Sequence, residues 1–394
     1  MIASTSPTRP RRTAAYAAVA VLMAIGVSLG AGELMARMFL KDQIVLFPRY
    51  HAAADYGEYR LRRLRPDTEF WHTSRDGSWK FVTNGRGFRD TRELDYHKPA
   101  GVVRILVLGD SNTEGFEVRQ EQTYAAILER YLIRRGIQAQ VLNTGVSGFG
   151  TAEETIFLEQ EGLKYHPDAV VLGFFANDFE DNLRSGLFQL TDGRLSIQKR
   201  DYTPGVALLT VLNSIPVLRW LSENSYLYSG SLNAVWELAK GFALSRAQAA
   251  MNTEMAVGSD SHDAYPKTLT LQLLQRLHRT CQEHGIPLVL LDIPLVDQDR
   301  FGPSVPPELR SLFEHASDAY IDGAAVLQDY AGLVDLHVPH GQRHISEFSH
   351  LAFGAEIGQR LLSFAGFSVP ASRPHQAHSS PQSTGLLPNL RISQ

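Results

Sequence analysis

Residues 102–115 read VVRILVLGDSNTEG. The run from Val102 to Leu108 is short, apolar and closed by Gly109. A segment of that length bounded by a glycine reads as a buried strand of a parallel sheet. Ser111 follows three residues after Leu108, inside Gly109-Asp110-Ser111-Asn112-Thr113-Glu114-Gly115. Small and polar residues on a strand-to-helix turn let a serine stand clear of the sheet. The N-terminus of the following helix also offers backbone N–H groups to a developing oxyanion. On its own the tripeptide fits a capping serine equally well, so its surroundings decide.

Outward from this strand the pattern alternates. Residues 138–142, 169–175, 287–292 and 333–336 read as four further short strands, and 124–135, 152–165, 268–284, 308–324 and 352–364 as helices. Strands alternating with helices give an α/β domain whose five-stranded parallel sheet is covered on both faces. In such sheets reactive residues gather beyond the C-terminal strand ends. The second strand ends in Asn143-Thr144-Gly145-Val146-Ser147-Gly148 and the third in Gly173-Phe174-Phe175-Ala176-Asn177-Asp178. Any one such cluster is an ordinary turn. Three at successive strand ends point to a site, and a glycine N–H and an asparagine amide are neutral donors suited to an oxyanion.

A serine nucleophile needs a base. Of 14 histidines, His337, His340, His344 and His350 follow the expected fifth strand. His350 opens His350-Leu351-Ala352-Phe353-Gly354 at the start of the last helix, with Glu347 three residues upstream to orient an imidazole. His350 is therefore the expected base and Glu347 its carboxylate, with His344 and Asp335 as the alternatives.

The remaining features set the context. Arg9, Arg11 and Arg12 precede an uncharged stretch, residues 13–32, long enough to cross a bilayer as a helix. Arginines on its N-terminal flank place that end in the cytoplasm and the rest of the chain outside it, in a bacterium on the periplasmic side of the inner membrane. The helical pattern continues through Glu33 to Leu40 without a small-residue cleavage site. An uncleaved single-pass anchor over 13–40 is thus favoured over a removed signal peptide. The expected organisation is a cytoplasmic N-terminus (1–12), the anchor (13–40), an irregular lead-in (41–98), a catalytic domain (99–365) with a largely helical insertion at 183–265, and a disordered tail (366–394). A net charge of −4 with no basic block excludes an electrostatic footprint for nucleic acid. The single cysteine, Cys281, excludes an intramolecular disulfide and a cysteine zinc site.

Taken in order, Gly109-Asp110-Ser111, Gly148, Gly173 to Asp178 and the late His350 resemble the four blocks of the SGNH (GDSL-type) hydrolases, over about residues 84–365 without the insertion. The run Asn84 to Asp90 also resembles bacterial members of that superfamily, some linked to cell-surface polysaccharide. The resemblance implies a flavodoxin-like three-layer sandwich with Ser111 as nucleophile and His350 as base. It also implies an oxyanion hole of the Ser111 N–H, the Gly148 N–H and the Asn177 side chain. The last block departs from the family's Asp-x-x-His, reading Glu347-Phe348-Ser349-His350. The expected activity is hydrolysis of an ester, an O-acetyl group on an envelope or exported polysaccharide, with no metal or cofactor. An O-acetyltransferase on the same glycans and a non-catalytic glycan-binding or assembly subunit are the rivals.

Overall fold

The computed structural model describes residues 10–254, 264–297, 300–341 and 344–367. The expected tail lies outside the described residues apart from its first two positions. The chain opens with helix α1 (Pro10–Phe39), followed by two antiparallel hairpins, β1 (His51–Tyr56) with β2 (Tyr59–Leu64) and β3 (Glu69–Ser74) with β4 (Gly77–Val82). The segment 41–98 is thus irregular only at its two ends, with four strands between residues 51 and 82. Its strands lack a long β-branched run, and only the tight turns at Gly57-Glu58 and Arg75-Asp76 mark them locally.

The central domain follows: β5 (Val103–Gly109), α2 (Ser111–Glu114), α3 (Tyr124–Arg134), β6 (Ala139–Asn143), α4 (Thr151–Gln160), β7 (Ala169–Phe174) and α5 (Asp178–Ser185). The insertion contains β8 (Phe188–Thr191), β9 (Arg194–Ile197), β10 (Asp201–Tyr202), α6 (Val206–Ser214), α7 (Pro216–Asn224) and α8 (Tyr226–Glu254). It is helical only after a hairpin. Asp192 and Gly193 both sit in the left-handed region (φ 50° and 71°), the geometry a two-residue hairpin turn requires. The chain then completes the domain with α9 (Ala264–Glu283), β11 (Leu288–Asp292), the small hairpin β12 (Leu295–Asp297) and β13 (Arg300–Gly302), α10 (Pro307–His315), β14 (Ala319–Asp322), α11 (Gly323–Leu327) and α12 (Glu347–Leu361).

Strands β14-β11-β7-β5-β6 form one parallel sheet. In order of appearance this is 5-4-3-1-2, the flavodoxin-like winding. The fifth strand is not 333–336 but Ala319–Asp322. Helix α10 stops at His315 and Ala319-Tyr320-Ile321 pairs beside β11, whereas Leu333 is exposed. Leu106, Leu108, Leu172 and Leu290 face α4 and α9 on one side of the sheet. Ile105, Val107, Val171 and Leu291 face α3 and α12 on the other. Strands β5, β6, β7 and β11 are buried throughout apart from Val103 and Gln140, which accounts for their nearly unbroken apolar reading. The hairpins β1–β4 form a third core of Val45, Phe47, Tyr50, Leu64, Phe70 and Phe81. This core closes onto Phe116, Val146 and Phe149 from the loops after β5 and β6. The lead-in is therefore a wall of the strand-end crevice.

Within Thr13–Phe39 of α1 an 18-residue window has a mean hydropathy of 2.0, and none of that window is buried. The helix is long and apolar enough to cross a membrane, and its N-terminal position also fits a signal sequence. Cys281 is wholly buried in the core, where desolvation pushes its thiol up to about 12.

Candidate active site

Strand β5 delivers Ser111 at its C-terminal end, beside the point where the winding reverses and the flanking loops part. Asp110 caps the short helix α2, its Oδ1 accepting from the Asn112 N–H at 2.8 Å. Gly145 brings the next loop so close that a Cβ there would lie 2.3 Å from the Glu114 nitrogen. Glu114, fully buried, accepts from the Tyr50 hydroxyl and from the Ser147 N–H (2.6 Å) and hydroxyl (2.7 Å), tying the lead-in and the β6 loop to the serine's helix. Burial raises the Glu114 carboxyl above its ordinary range. Arg89 comes from the Asn84–Asp90 run picked out in the sequence. Its guanidinium donates to the Glu114, Gly115 and Val118 carbonyls, which fixes the course of the loop after α2.

The histidine that meets Ser111 is His344. Its Nε2 lies 2.9 Å from the Ser111 Oγ and its Nδ1 lies 3.0 Å from Oε2 of Glu117. Glu117 is 3% exposed and holds a left-handed backbone (φ 66°), a strained conformation for a residue with a side chain. The Phe116 ring packs against the imidazole at 5.0 Å. Given these partners, the hydroxyl donates to Nε2 and Nδ1–H donates to the carboxylate, which is the orientation a general base needs.

The expected base and carboxylate stand elsewhere. His350 is wholly buried. Its Nδ1 accepts from the Tyr124 N–H at 3.1 Å and its ring stacks on Tyr124, so it joins α12 to the start of α3. Desolvation pushes its pKa down to about 3, which keeps it neutral. Glu347 forms an ion pair with Arg119 (2.5 Å), whose hydrogen bond holds the carboxyl below its ordinary value. It clamps the far end of the loop that carries Glu117. Asp335 is exposed and bonded to no described histidine. His337 faces the Pro294 carbonyl, and His340 meets Asp76 of the β3–β4 turn at 2.7 Å.

Of the expected oxyanion donors, the N–H groups of Ser111 and Gly148 donate to no described acceptor. Gly148 has φ 77°, and the space a Cβ would take there is filled by the Arg62 guanidinium, 2.5 Å away. Arg62 is 5% exposed, and its buried Nε has no hydrogen-bond partner among the described residues. Asn177 is otherwise committed: its Nδ2 donates to Asp181 at 2.9 Å. Among the described residues no group of histidines, cysteines and carboxylates is arranged to hold a metal ion.

Buried carboxyls stand on α4 (Glu153), on α5 (Asp181) and at the end of β11 (Asp292). Desolvation and the Asp181 charge push Glu153 up to about 8; desolvation raises Asp181 to about 6 and Asp292 to about 7. Each folded-state pKa lies above its ordinary value, so the folded protein holds more protons than the unfolded chain in between, and stability falls as pH rises through that window. The buried histidines have the opposite sign, but their contribution is complete above their ordinary value of 6.5. The Tm is therefore expected to fall between pH 7 and pH 8.5, and Glu153→Gln to flatten the slope. Thermal melts across that range check both.

A family model described as the GDSL-like Lipase/Acylhydrolase family matches residues 107–310. No curated protein sequence matches the chain. Solved structures similar to it include TesA (14% identity, TM-score 0.35, covering 66% of this chain and 98% of that one). Others are a catalytic mutant of Axe2, an acetylxylan esterase from Geobacillus stearothermophilus (14%, 0.37, 66% and 94%), and the lipase/acylhydrolase from Enterococcus faecalis (16%, 0.34, 66% and 95%).

Proposed function

The chain belongs to the GDSL-like lipase/acylhydrolase family and is a hydrolase acting on ester bonds, and from that premise we propose that it removes an acyl group, an O-acetyl ester of an extracytoplasmic glycan, through an acyl-enzyme on Ser111. The observation that carries the reading is the unbroken Ser111–His344–Glu117 chain, with contacts of 2.9 and 3.0 Å. His344 takes the Ser111 proton as Oγ attacks the ester carbonyl. Glu117 holds the imidazole in the tautomer that presents Nε2 and stabilises the imidazolium that forms. The oxyanion is received by the Ser111 and Gly148 N–H groups, which are free to donate. His344 then returns the proton to the departing alcohol, and water, deprotonated by the same imidazole, releases the acid. Asn177 is a third donor only if its amide leaves Asp181 when the oxyanion forms.

The glycan and its location rest on α1. An apolar helix that holds the domain outside the cytoplasm, at the periplasmic face of the inner membrane, puts envelope and exported polysaccharide within reach. The test is labelling of the full chain by a fluorophosphonate, followed by acetate release from a panel of acetylated glycans. Labelling confined to Ser111, together with acetate release, is expected. An unlabelled protein would sink the serine mechanism in favour of a binding subunit. Acetate appearing on an added acceptor sugar in place of free acetate would convert the reading to an O-acetyltransferase using the same three residues.

A further inference from the structure

We propose that α6 and α7 form an interfacial hairpin that lies in the headgroup layer of the same bilayer α1 enters, so that the domain is held to the membrane by a surface as well as a tether. The inference rests on the reading of α1 as a membrane anchor.

The level of the water interface is marked on α1. Residues 13–32 carry no charge, and Glu33 is the first ionisable side chain after them. Glu33 is where the insertion docks. Its carboxylate accepts from the Ser225 hydroxyl (2.7 Å) and from the Tyr226 and Leu227 N–H groups (3.1 and 2.9 Å), the unsatisfied donors at the start of α8. One turn on, Arg37 donates to the Asn224 carbonyl at the end of α7 (2.6 Å) and stacks over Tyr226. The C-terminus of α7 is therefore pinned at the height where the apolar span ends.

The two helices have the form such a position requires. They meet at 99° at Ile215, and together they are apolar enough to pass as a span. At nine residues each they extend only about 14 Å apiece, well short of a hydrocarbon core of about 30 Å. They are too short to cross and too apolar for a solvated face. Val206, Leu209 and Ser222 face inward. The opposite face exposes Leu208 (60%), Val211 (58%), Val217 (59%) and Trp220 (59%), spaced three apart on each helix, with Ile215 exposed at the bend. Charge complements this face. A cavity of about 120 Å³ beside the bend is lined by Arg65 and Arg219, with Asp67 as its acidic member; Arg49 at its wall is held inward by Asn233 and the Phe47 and Trp236 rings. Guanidinium groups flanking an apolar face fit lipid phosphates, and amphipathic helices of this kind bury their apolar side some 5–10 Å into the headgroup boundary.

The test uses the full chain in vesicles of phosphatidylethanolamine and phosphatidylglycerol. Single cysteines at Leu208, Val211, Val217 and Trp220 are labelled with a nitroxide, with Arg194→Cys on the β8–β9 hairpin as the aqueous control. Each of the four side chains is more than half exposed, so the label displaces no packed group, and Cys281 is buried from the reagent. The expected result is a severalfold rise in oxygen over nickel-chelate collision at all four positions relative to the control. Co-flotation with aqueous-like collision ratios would overturn the interfacial hairpin and leave the anchor standing. Failure to co-float, or release by alkaline carbonate, would overturn the anchor reading and this proposal with it.

Discussion

His344→Ala is expected to lower kcat/KM for a small activated ester such as p-nitrophenyl acetate by about 10⁴-fold or more, and Ser111→Ala to do the same. The two act as one unit, because the serine hydroxyl is a poor nucleophile until the imidazole 2.9 Å away takes its proton. The double variant should therefore be scarcely worse than either single one, with residual turnover set by binding and the backbone donors. His350→Ala separates this assignment from the one the sequence suggested. It removes the partner of the Tyr124 N–H in the core, so it should cost about 1–3 kcal/mol of stability while kcat/KM per folded molecule stays within about tenfold. Thermal melts alongside ester kinetics read both quantities. A His350→Ala enzyme as dead as Ser111→Ala, with His344→Ala active, would overturn the geometry-based reading.

The reason His350 misleads is itself legible. Ser346 caps α12, its hydroxyl accepting from the Ser349 N–H. The helix thus begins before His350, which falls in phase with Phe353, Ile357 and Leu361 on the buried stripe. A histidine on that stripe belongs to the core. His344, two residues before the cap, is still on loop and free to turn towards Ser111. The strand and the place of Ser111 at its end, by contrast, are readable because buried parallel strands leave apolar runs closed by a turn. The hairpins of the lead-in are not, since their stability comes from Phe47, Tyr50, Phe70 and Phe81 packing onto Phe116 and Phe149, contacts that no local window contains. The fifth strand is not legible locally for a similar reason. Ala319–Asp322 is only four residues long, and its identity as a strand depends on the edge that β11 offers.

Glu117→Gln is the second large effect expected: a fall of about 10³- to 10⁴-fold in kcat with little change in stability, because glutamine keeps the volume and can still bond to His344. Two consequences of the substitution lower the rate. The imidazolium loses its counter-charge at the moment it forms. The amide can also present its NH₂ to Nδ1, which favours the tautomer with the proton on Nε2, where it cannot accept from Ser111. Glu347→Gln provides the contrast. That carboxylate reaches Arg119 and not an imidazole, so its loss should loosen the 115–123 loop and cost no more than about tenfold. A pH–rate profile distinguishes the roles. The Glu117→Gln enzyme should show an altered base limb, and the Glu347→Gln enzyme an unaltered one at a lower plateau. Glu117 is recruited from the nucleophile's own loop, six residues after Ser111, and its left-handed backbone costs on the order of 1 kcal/mol. Arg89 from one side and the Arg119–Glu347 pair from the other hold that loop in the strained course which aims the carboxylate at His344. The departure of the last block from Asp-x-x-His is thus accounted for if the orienting carboxylate has moved to the other side of the imidazole. An inverted outcome, with Glu347→Gln inactive and Glu117→Gln active, would return that role to the residue upstream of His350.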